Sequence, residues 1–292
     1  LQAGFGVRAV VDTAPARMRP EHYLTAIPAL IQPMLLLKGL RWRTEIRRKT
    51  EYYAGATSLV ISGEDSATGV TFRDTTGRTQ KISTKYVFIH QGVVPNVNLT
   101  MATGLQHQWH PRQLCWVPKT DMFGKSSVEG IFVAGDGMGI AGATAAASSG
   151  RLAARWIVAR VKRRPFLMAP VLCALKWRQA AIRPFLDSLF KPPDDWRVPE
   201  KSHVIVCRCE ALTKADVDAA IAMGVSGLNQ LKSYCRAGMG RCQGRMCALT
   251  IQKMIHNRKG GSEEAIGYLR IRPPIRPLTV GELAALAHEN AD

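Results

Sequence analysis

The sequence is short of acids. Its 292 residues hold 22 aspartates and glutamates against 40 lysines and arginines, a formal charge of +18. That excess raises nucleic acid as a partner, but the basic residues are spread along the chain and no recognisable nucleic-acid module accompanies them. A solvated basic surface, or attraction to an acidic partner subunit or an anionic membrane face, accounts for the charge instead. No run of about twenty uncharged apolar residues occurs, so no transmembrane helix is expected. Peripheral membrane contact stays open. No basic-then-apolar leader opens the chain. The seven cysteines are odd in number and gathered like ligands, which points to a reducing setting. The expected location is the cytoplasm, or the inner face of the membrane. The opening also lacks a methionine and a glycine-rich nucleotide fingerprint, so we expect the sequence to start inside a larger protein.

Five cysteines lie between Cys207 and Cys247. Val206-Cys207-Arg208-Cys209-Glu210 forms one island, and Tyr234 to Cys247 the other. Thiolates are soft ligands, and a fold can aim several at one metal. An iron–sulfur cluster takes four, and Cys207, Cys209, Cys242 and Cys247 form the natural set. Gly238, Gly240 and Gly244 let backbone approach closely and turn N–H groups toward sulfur. Arg208, Arg236, Arg241 and Arg245 put positive charge beside the ligands, which offsets the cluster's negative charge and raises its potential. Structural zinc prefers two to four residues between paired cysteines, and Cys207-Arg208-Cys209 has one. Disulfides would need an oxidising compartment that nothing here indicates.

The two islands, Cys-Arg-Cys-Glu and Gly-Met-Gly-Arg-Cys-Gln-Gly-Arg-Met-Cys, resemble the bacterioferritin-associated-ferredoxin-like [2Fe-2S] domain. The resemblance covers residues 203–258. It is to the version fused to flavoprotein subunits of opine oxidase, hydrogen cyanide synthase and hydroxyproline dehydrogenase. It implies Cys207, Cys209, Cys242 and Cys247 as ligands. Cys235 falls where many relatives have threonine and reads as a bystander thiol, with ligation by it as the alternative.

Earlier in the chain, Leu1 to Gly6 reads as a helix end with Gly4 as left-handed cap. Val7–Val11 then reads as a buried strand closed by Asp12, the second half of a dinucleotide-binding unit in which the acid binds a ribose. A plain surface aspartate is the alternative. Residues 20–38 read as helices broken by prolines. Leu40–Val60 and Gly69–Ile89 alternate as strands do, with turns at 63–65 and 76–78, which makes a small antiparallel meander. Val87 to Asn96 reads as a buried strand and a glycine–proline turn. It resembles the linker motif of two-dinucleotide-domain flavoproteins at Gly92, Pro95 and Asn96. Gly130–Ala134 reads as an apolar strand running into Gly135-Asp136-Gly137 and an alanine-rich helix from Gly142 to Arg160. Small residues let that helix's N-terminus approach a phosphate. The stretch resembles the second FAD motif of the same flavoproteins, which implies that Asp136 binds the ribityl chain beside Gly135 and Gly142. A helix-capping aspartate is the alternative. His107, His110 and Cys115 show no ligand spacing. Phe166–Phe190 reads as a basic amphipathic helical stretch, packed on its own protein or lying on a membrane. Thr213 and Asp216 form a capping box, helices follow near 227–234 and 246–257, and the tail is extended before a short helix at 280–287.

The expected fold is α/β, a partial two-dinucleotide-domain flavoprotein, plus a small mainly helical [2Fe-2S] domain. The expected divisions are 1–95 (nucleotide-binding remnant with meander), 96–165 (FAD-binding return segment), 166–200 (linker), 201–260 (cluster domain) and 261–292 (tail). The resemblance implies an FAD-dependent oxidoreductase subunit that passes electrons between FAD and a [2Fe-2S] cluster. It implies a second, amino-acid-oxidase-like flavoprotein subunit whose substrate is an amino acid, imino acid or opine. NAD(P) or another adenine nucleotide at the middle site stays open. A single-chain NAD(P)H-dependent oxidoreductase and a non-catalytic iron–sulfur docking module are the alternatives. No residue is assigned a catalytic role on the substrate.

Overall fold

The computed structural model describes Gly4 and residues 6–289. The chain opens with β1 (Ala9–Asp12), α1 (Pro20–Ala26), α2 (Pro33–Lys49), β2 (Glu51–Ala54), β3 (Thr57–Ser62), β4 (Gly69–Arg73) and β5 (Thr79–Ser83). Then come α3 (Asn98–Ala102), β6 (His107–His110), β7 (Cys115–Pro118), α4 (Ala143–Val161), α5 (Ala169–Ala180) and α6 (Arg183–Leu189). Last are β8 (Ile205–Cys207), β9 (Leu212–Thr213), α7 (Lys214–Ala222), α8 (Leu228–Cys235), α9 (Ala248–Lys259), α10 (Glu263–Ile266) and α11 (Val280–Glu289). Two compact units result: Leu1–Val93 with Val171–Pro192, and Val94–Pro170 with Pro193–Asp292. The helix end expected at Leu1–Phe5 lies outside the described residues, apart from Gly4, whose φ of +80° suits a left-handed cap.

In the first unit β1 and β2 pair in parallel, with α1 and α2 in the crossover between them. Parallel neighbours need such a crossover, and this one is helical, an α/β arrangement. The strands β3, β4 and β5 form the expected antiparallel meander over a core of Ala56, Val70, Phe72 and Ile82. Its last turn is held by Asp74, which accepts from the amides of Thr76 (2.9 Å) and Arg78 (3.1 Å). Two expectations fail here. Leu40 does not begin a strand, because α2 continues to Lys49. Leu, Arg, Glu and Lys are strong helix formers, and Glu45 pairs with Lys49 one turn on at 2.8 Å. The buried strand expected at 87–91 is also absent. Residues 85–97 carry no regular structure, and Phe88 is 98% exposed. No strand among the described residues pairs with this segment, so its amides have no ladder to join. Pro170 and Pro184 fall in the first turns of α5 and α6, where a missing amide costs little, so they start helices rather than interrupt one. The helix α6 packs against α1, and Gln32 Nε2 donates to the carbonyls of Arg178 (2.6 Å) and Gln179 (2.8 Å) at the end of α5. Among the described residues no single helix is long and apolar enough to cross a membrane.

In the second unit β6 and β7 form a hairpin whose second strand is buried throughout, Cys115 included. The helix α4 falls where expected, with Trp156 against Phe123 and Phe132. Gly130–Ala134 is not a strand; Phe132 makes one bridge to Lys125. The cysteine-bearing helices build a core from Val217, Leu228, Leu231, Ile251 and Ile255, and Met101 and Ala102 of α3 pack against it. Trp116 Nε1 donates to the fully buried Gln252 Oε1 at 3.1 Å. Behind α9 lies a charge network. Arg197 forks Glu263, while Lys253 reaches Glu263 (3.4 Å) and Asp194 (3.2 Å). Burial alone would raise the Glu263 carboxyl's pKa, but Arg197 and Lys253 outweigh it and hold it below the usual carboxylate range. Its contribution to stability is therefore present at neutral pH and lost as pH falls into the acid range. Glu263→Gln should destabilise the unit by about 1–3 kcal/mol at pH 7, because it leaves Arg197 and Lys253 with the exposed Asp194 as their remaining anionic partner. Urea unfolding of both proteins measures this, and the gap should close as pH is lowered.

Candidate functional site

The first cysteine island is a hairpin. Cys207 ends β8, Cys209 lies in the turn, and Ala211 at φ +52° brings the chain back into β9. Thr213 N donates to Asp216 Oδ2 (2.8 Å) and Asp216 N to Thr213 Oγ1 (3.3 Å), the expected capping box that starts α7. The second island begins where α8 ends at Cys235 and Arg236 turns left-handed at φ +61°. It ends at Cys247, the N-cap of α9.

The islands meet at glycine. A Cβ on Gly240 would stand 2.2 Å from Cys209 Cβ and 3.4 Å from its sulfur, so no larger residue fits unless the loops part. Gly238 and Gly244 have φ of +83° and +79°, and a Cβ on either would strike Leu269 Cδ1, at 2.7 and 2.2 Å. Leu269, buried, is thus seated on both glycines. The segment around it is a strap. Asn229 Nδ2 donates to Tyr268 O (2.9 Å), Arg270 N to Asn229 Oδ1 (2.8 Å), and Gln243 Nε2 to Pro274 O (2.6 Å).

None of the seven cysteines is in a disulfide, and Cys209 is exposed. The Cys247 thiol has those of Cys207, Cys242 and Cys209 as neighbours, and Cys242 has Cys209 beside it. Burial pushes the Cys247 thiol up, and the neighbouring Cys207, Cys242 and Cys209 sulfurs add to this. Burial would raise Cys242 too. The amide of Met246, the Cys209 thiol and the amides of Gly244 and Arg245 outweigh burial, and the net shift is downward. These donors are what a thiolate ligand needs. Cys235 differs: its thiol donates to Leu231 O of its own helix at 3.6 Å, and burial raises its pKa. Among the described residues no three His, Cys, Asp or Glu side chains form a group set to hold a metal ion.

Of the arginines, Arg245 is the most engaged. Its NH1 donates to Cys242 O (3.2 Å), its NH2 to Ile275 O (2.8 Å), and its Nε reaches Asn96 Oδ1 at 3.5 Å. Arg236 pairs with Glu210 at 2.9 Å, while Arg208 and Arg241 face solvent. Asn96 is therefore beside the cysteine loop, and Asn98 Nδ2 donates to Gln243 O at 3.2 Å. A small cleft of about 110 Å³ lies here, lined by Pro95, Asn96, Trp116, Arg245 and Tyr268 among others.

The flavin-type corner is separate. Asp136 Oδ1 accepts from the amides of Ala141 (2.9 Å) and Gly142 (3.1 Å), and Gly135 N donates to Ser149 Oγ at 2.7 Å. Gln113 clamps Ile140 through both its amide atoms. The helix α4 starts after Gly142 at φ +95° with no side-chain cap. Gly92 has φ +93°, and its amide donates to His90 Nδ1 at 3.4 Å. Asp12 is engaged by its own unit: Ala14 N donates to Oδ1 (2.9 Å) and the Tyr52 hydroxyl to Oδ2 (2.5 Å). Burial and this bond to Asp12 push the Tyr52 hydroxyl up to about 12. Leu269, Gln113 and Ser149 were not singled out from the sequence. Only Leu269 left a signal, the alternation of Leu269 and Ile271 before the proline-rich run.

The profile of the sarcosine oxidase A3 domain matches residues 201–287, the strap and both cysteine islands included. The opine oxidase A chain of Rhizobium meliloti is 38% identical over 99% of this chain and 55% of its own length. That of Agrobacterium tumefaciens (strain Ach5) is 37% identical over 99% of this chain and 58% of its own length. Hydrogen cyanide synthase subunit HcnB of Pseudomonas aeruginosa is 27% identical over 90% of this chain and 59% of its own. The crystal structure of L-proline dehydrogenase from P. horikoshii shares the fold, with a TM-score of 0.61 and 21% identity over 85% of this chain and 47% of that one. The chain thus spans little more than half the length of the curated relatives it matches. Mild oxidation of the metal-free chain with diamide should cross-link Cys209 to Cys242, read by peptide mass spectrometry. A dominant cross-link through Cys235 would contradict the pairing.

Proposed function

We propose that this chain is part of an FAD-dependent oxidoreductase subunit that passes electrons between a flavin and a [2Fe-2S] cluster held by Cys207, Cys209, Cys242 and Cys247. The observation that supports this reading is the approach of the two cysteine islands, with Gly240 packed against Cys209 and Cys207, Cys209 and Cys242 as neighbours of Cys247. Four thiolates are the usual ligand set of a two-iron cluster. The donor set also fits: three amides address the Cys242 sulfur, where a charged cluster needs them. When bound, flavin handles electrons in pairs and the cluster one at a time.

The chain's own residues support the flavin part of the reading. The uncapped N-terminus of α4 leaves amides and dipole for a phosphate. Asp136, Gly135 and Gly142 shape that corner, and the two amide bonds to Asp136 fall on the same oxygen. Gly92, Pro95 and Asn96 would carry the linker role. By contrast, both oxygens of Asp12 are taken within its unit, which speaks against a redox nicotinamide there and for the two-subunit reading. On that reading a second, amino-acid-oxidase-like flavoprotein subunit oxidises an amino acid, imino acid or opine. That class follows the names of the relatives, opine oxidase foremost.

Purified without oxygen, the chain should be brown, with about two iron and two sulfide per chain. Zinc without sulfide would overturn the assignment. Cys235→Ser should leave the reduced cluster's EPR signal intact, and its loss would replace one member of the set of four. In the longest natural form of the protein, Asp136→Ala should lower FAD content; unchanged occupancy would remove Asp136 from the site.

A further inference from the structure

The first unit carries a feature that the cysteine and flavin-type sites do not use. Between Tyr23 and Leu40 the only charged residue is Lys38. This stretch forms α1, a single 3-10 turn (Pro28–Ile31) and the first half of α2. One side of α1 and of the turn packs on α6. The other side is open: Leu24 is 73% exposed, Leu30 67%, Met34 78% and Leu40 61%. The helix α2 has no buried residue, and of its apolar side chains Met34, Leu35, Leu37, Leu40 and Trp42 are exposed. It is apolar at its start and basic at its end, the pattern of a helix that lies at a boundary between apolar and charged surroundings.

Charge brackets this stretch. Arg17 and Arg19 precede it, and Arg41, Arg43, Arg47, Arg48 and Lys49 follow it. The one acid of α2, Glu45, is taken up by Lys49 at 2.8 Å. Lys38 stands over the Trp42 ring at 4.6 Å, so the single charge within the stretch lies toward its basic end. The two arms together have the length and hydropathy of a membrane segment, but they are bent by 120° at the break before Pro33. Arms so bent suit the headgroup boundary rather than a crossing. An apolar apex lies in the acyl region there, and flanking lysines and arginines reach back to anionic phosphates.

We infer that the corner formed by α1 and α2 is a membrane-docking wedge that seats this protein on an anionic bilayer surface. The occupant is the lipid surface itself: the apex supplies apolar area, and the basic flanks supply the preference for negative headgroups. The wedge is independent of the cysteine site, and the variants below touch neither that site nor the flavin-type corner.

The test is co-sedimentation of the chain with vesicles of phosphatidylcholine, with and without one-third phosphatidylglycerol. The expected result is partition onto the anionic vesicles at least about tenfold stronger than onto neutral ones, weakened by added salt. Leu30→Glu/Leu37→Glu should reduce that partition by about tenfold or more. Its circular dichroism and thermal midpoint should stay unchanged, because both side chains are exposed. A second variant, Arg41→Gln/Arg43→Gln/Arg47→Gln, should lose the preference for anionic vesicles while keeping its fold. Unchanged binding by the glutamate variant would overturn the inference. So would a chain that stays in the supernatant with every vesicle, which would assign the wedge to a protein partner instead.

Discussion

Everything at the cysteine site depends on how closely two backbones can approach. Gly240 lies against the Cβ of Cys209 at a distance no side chain could share, and Leu269 rests on two further glycines with positive φ. These contacts are steric, and they act in opposite senses. The first fixes how near the hairpin comes to the long loop, and the second fixes the shape of the long loop itself. The sulfur positions follow from both.

The second unit joins the linker-type segment to the cysteine site through ordinary packing. Met101 and Ala102, just after the linker-type segment, belong to the core that carries Cys207 and Cys247. Trp116 in the β6–β7 hairpin is tied to Gln252 in the helix that Cys247 caps, and Asn98 is tied to Gln243 in the cysteine loop. Arg245 holds linker, loop and strap with one planar group, a task its fixed fork of donors suits better than an ammonium would. The flavin-type corner at Asp136 lies in this same unit.

Much of the cysteine region could be read in advance because its signals are local. A capping box, a glycine after α7 and after α9, and a cysteine at a helix start all act within a few residues, and α7, α8 and α9 fall within two residues of expectation. The same holds for the meander turn at Asp74 and for α4. What failed depended on distant partners. The stretch 87–91 and the run Gly130–Ala134 have strand composition, but a strand exists only where another supplies its hydrogen bonds. At Leu40 alternation competed with helix propensity across α2, and propensity won. Gln252 was illegible for a similar reason, since its importance lies in Trp116, far away along the chain, and Leu269 showed only as one apolar residue alternating with Ile271.

The strap lies C-terminal to every cysteine of the site. During synthesis the two islands therefore leave the ribosome before Leu269 does. The seat on Gly238 and Gly244 can form only afterwards, so the long loop takes its final shape last.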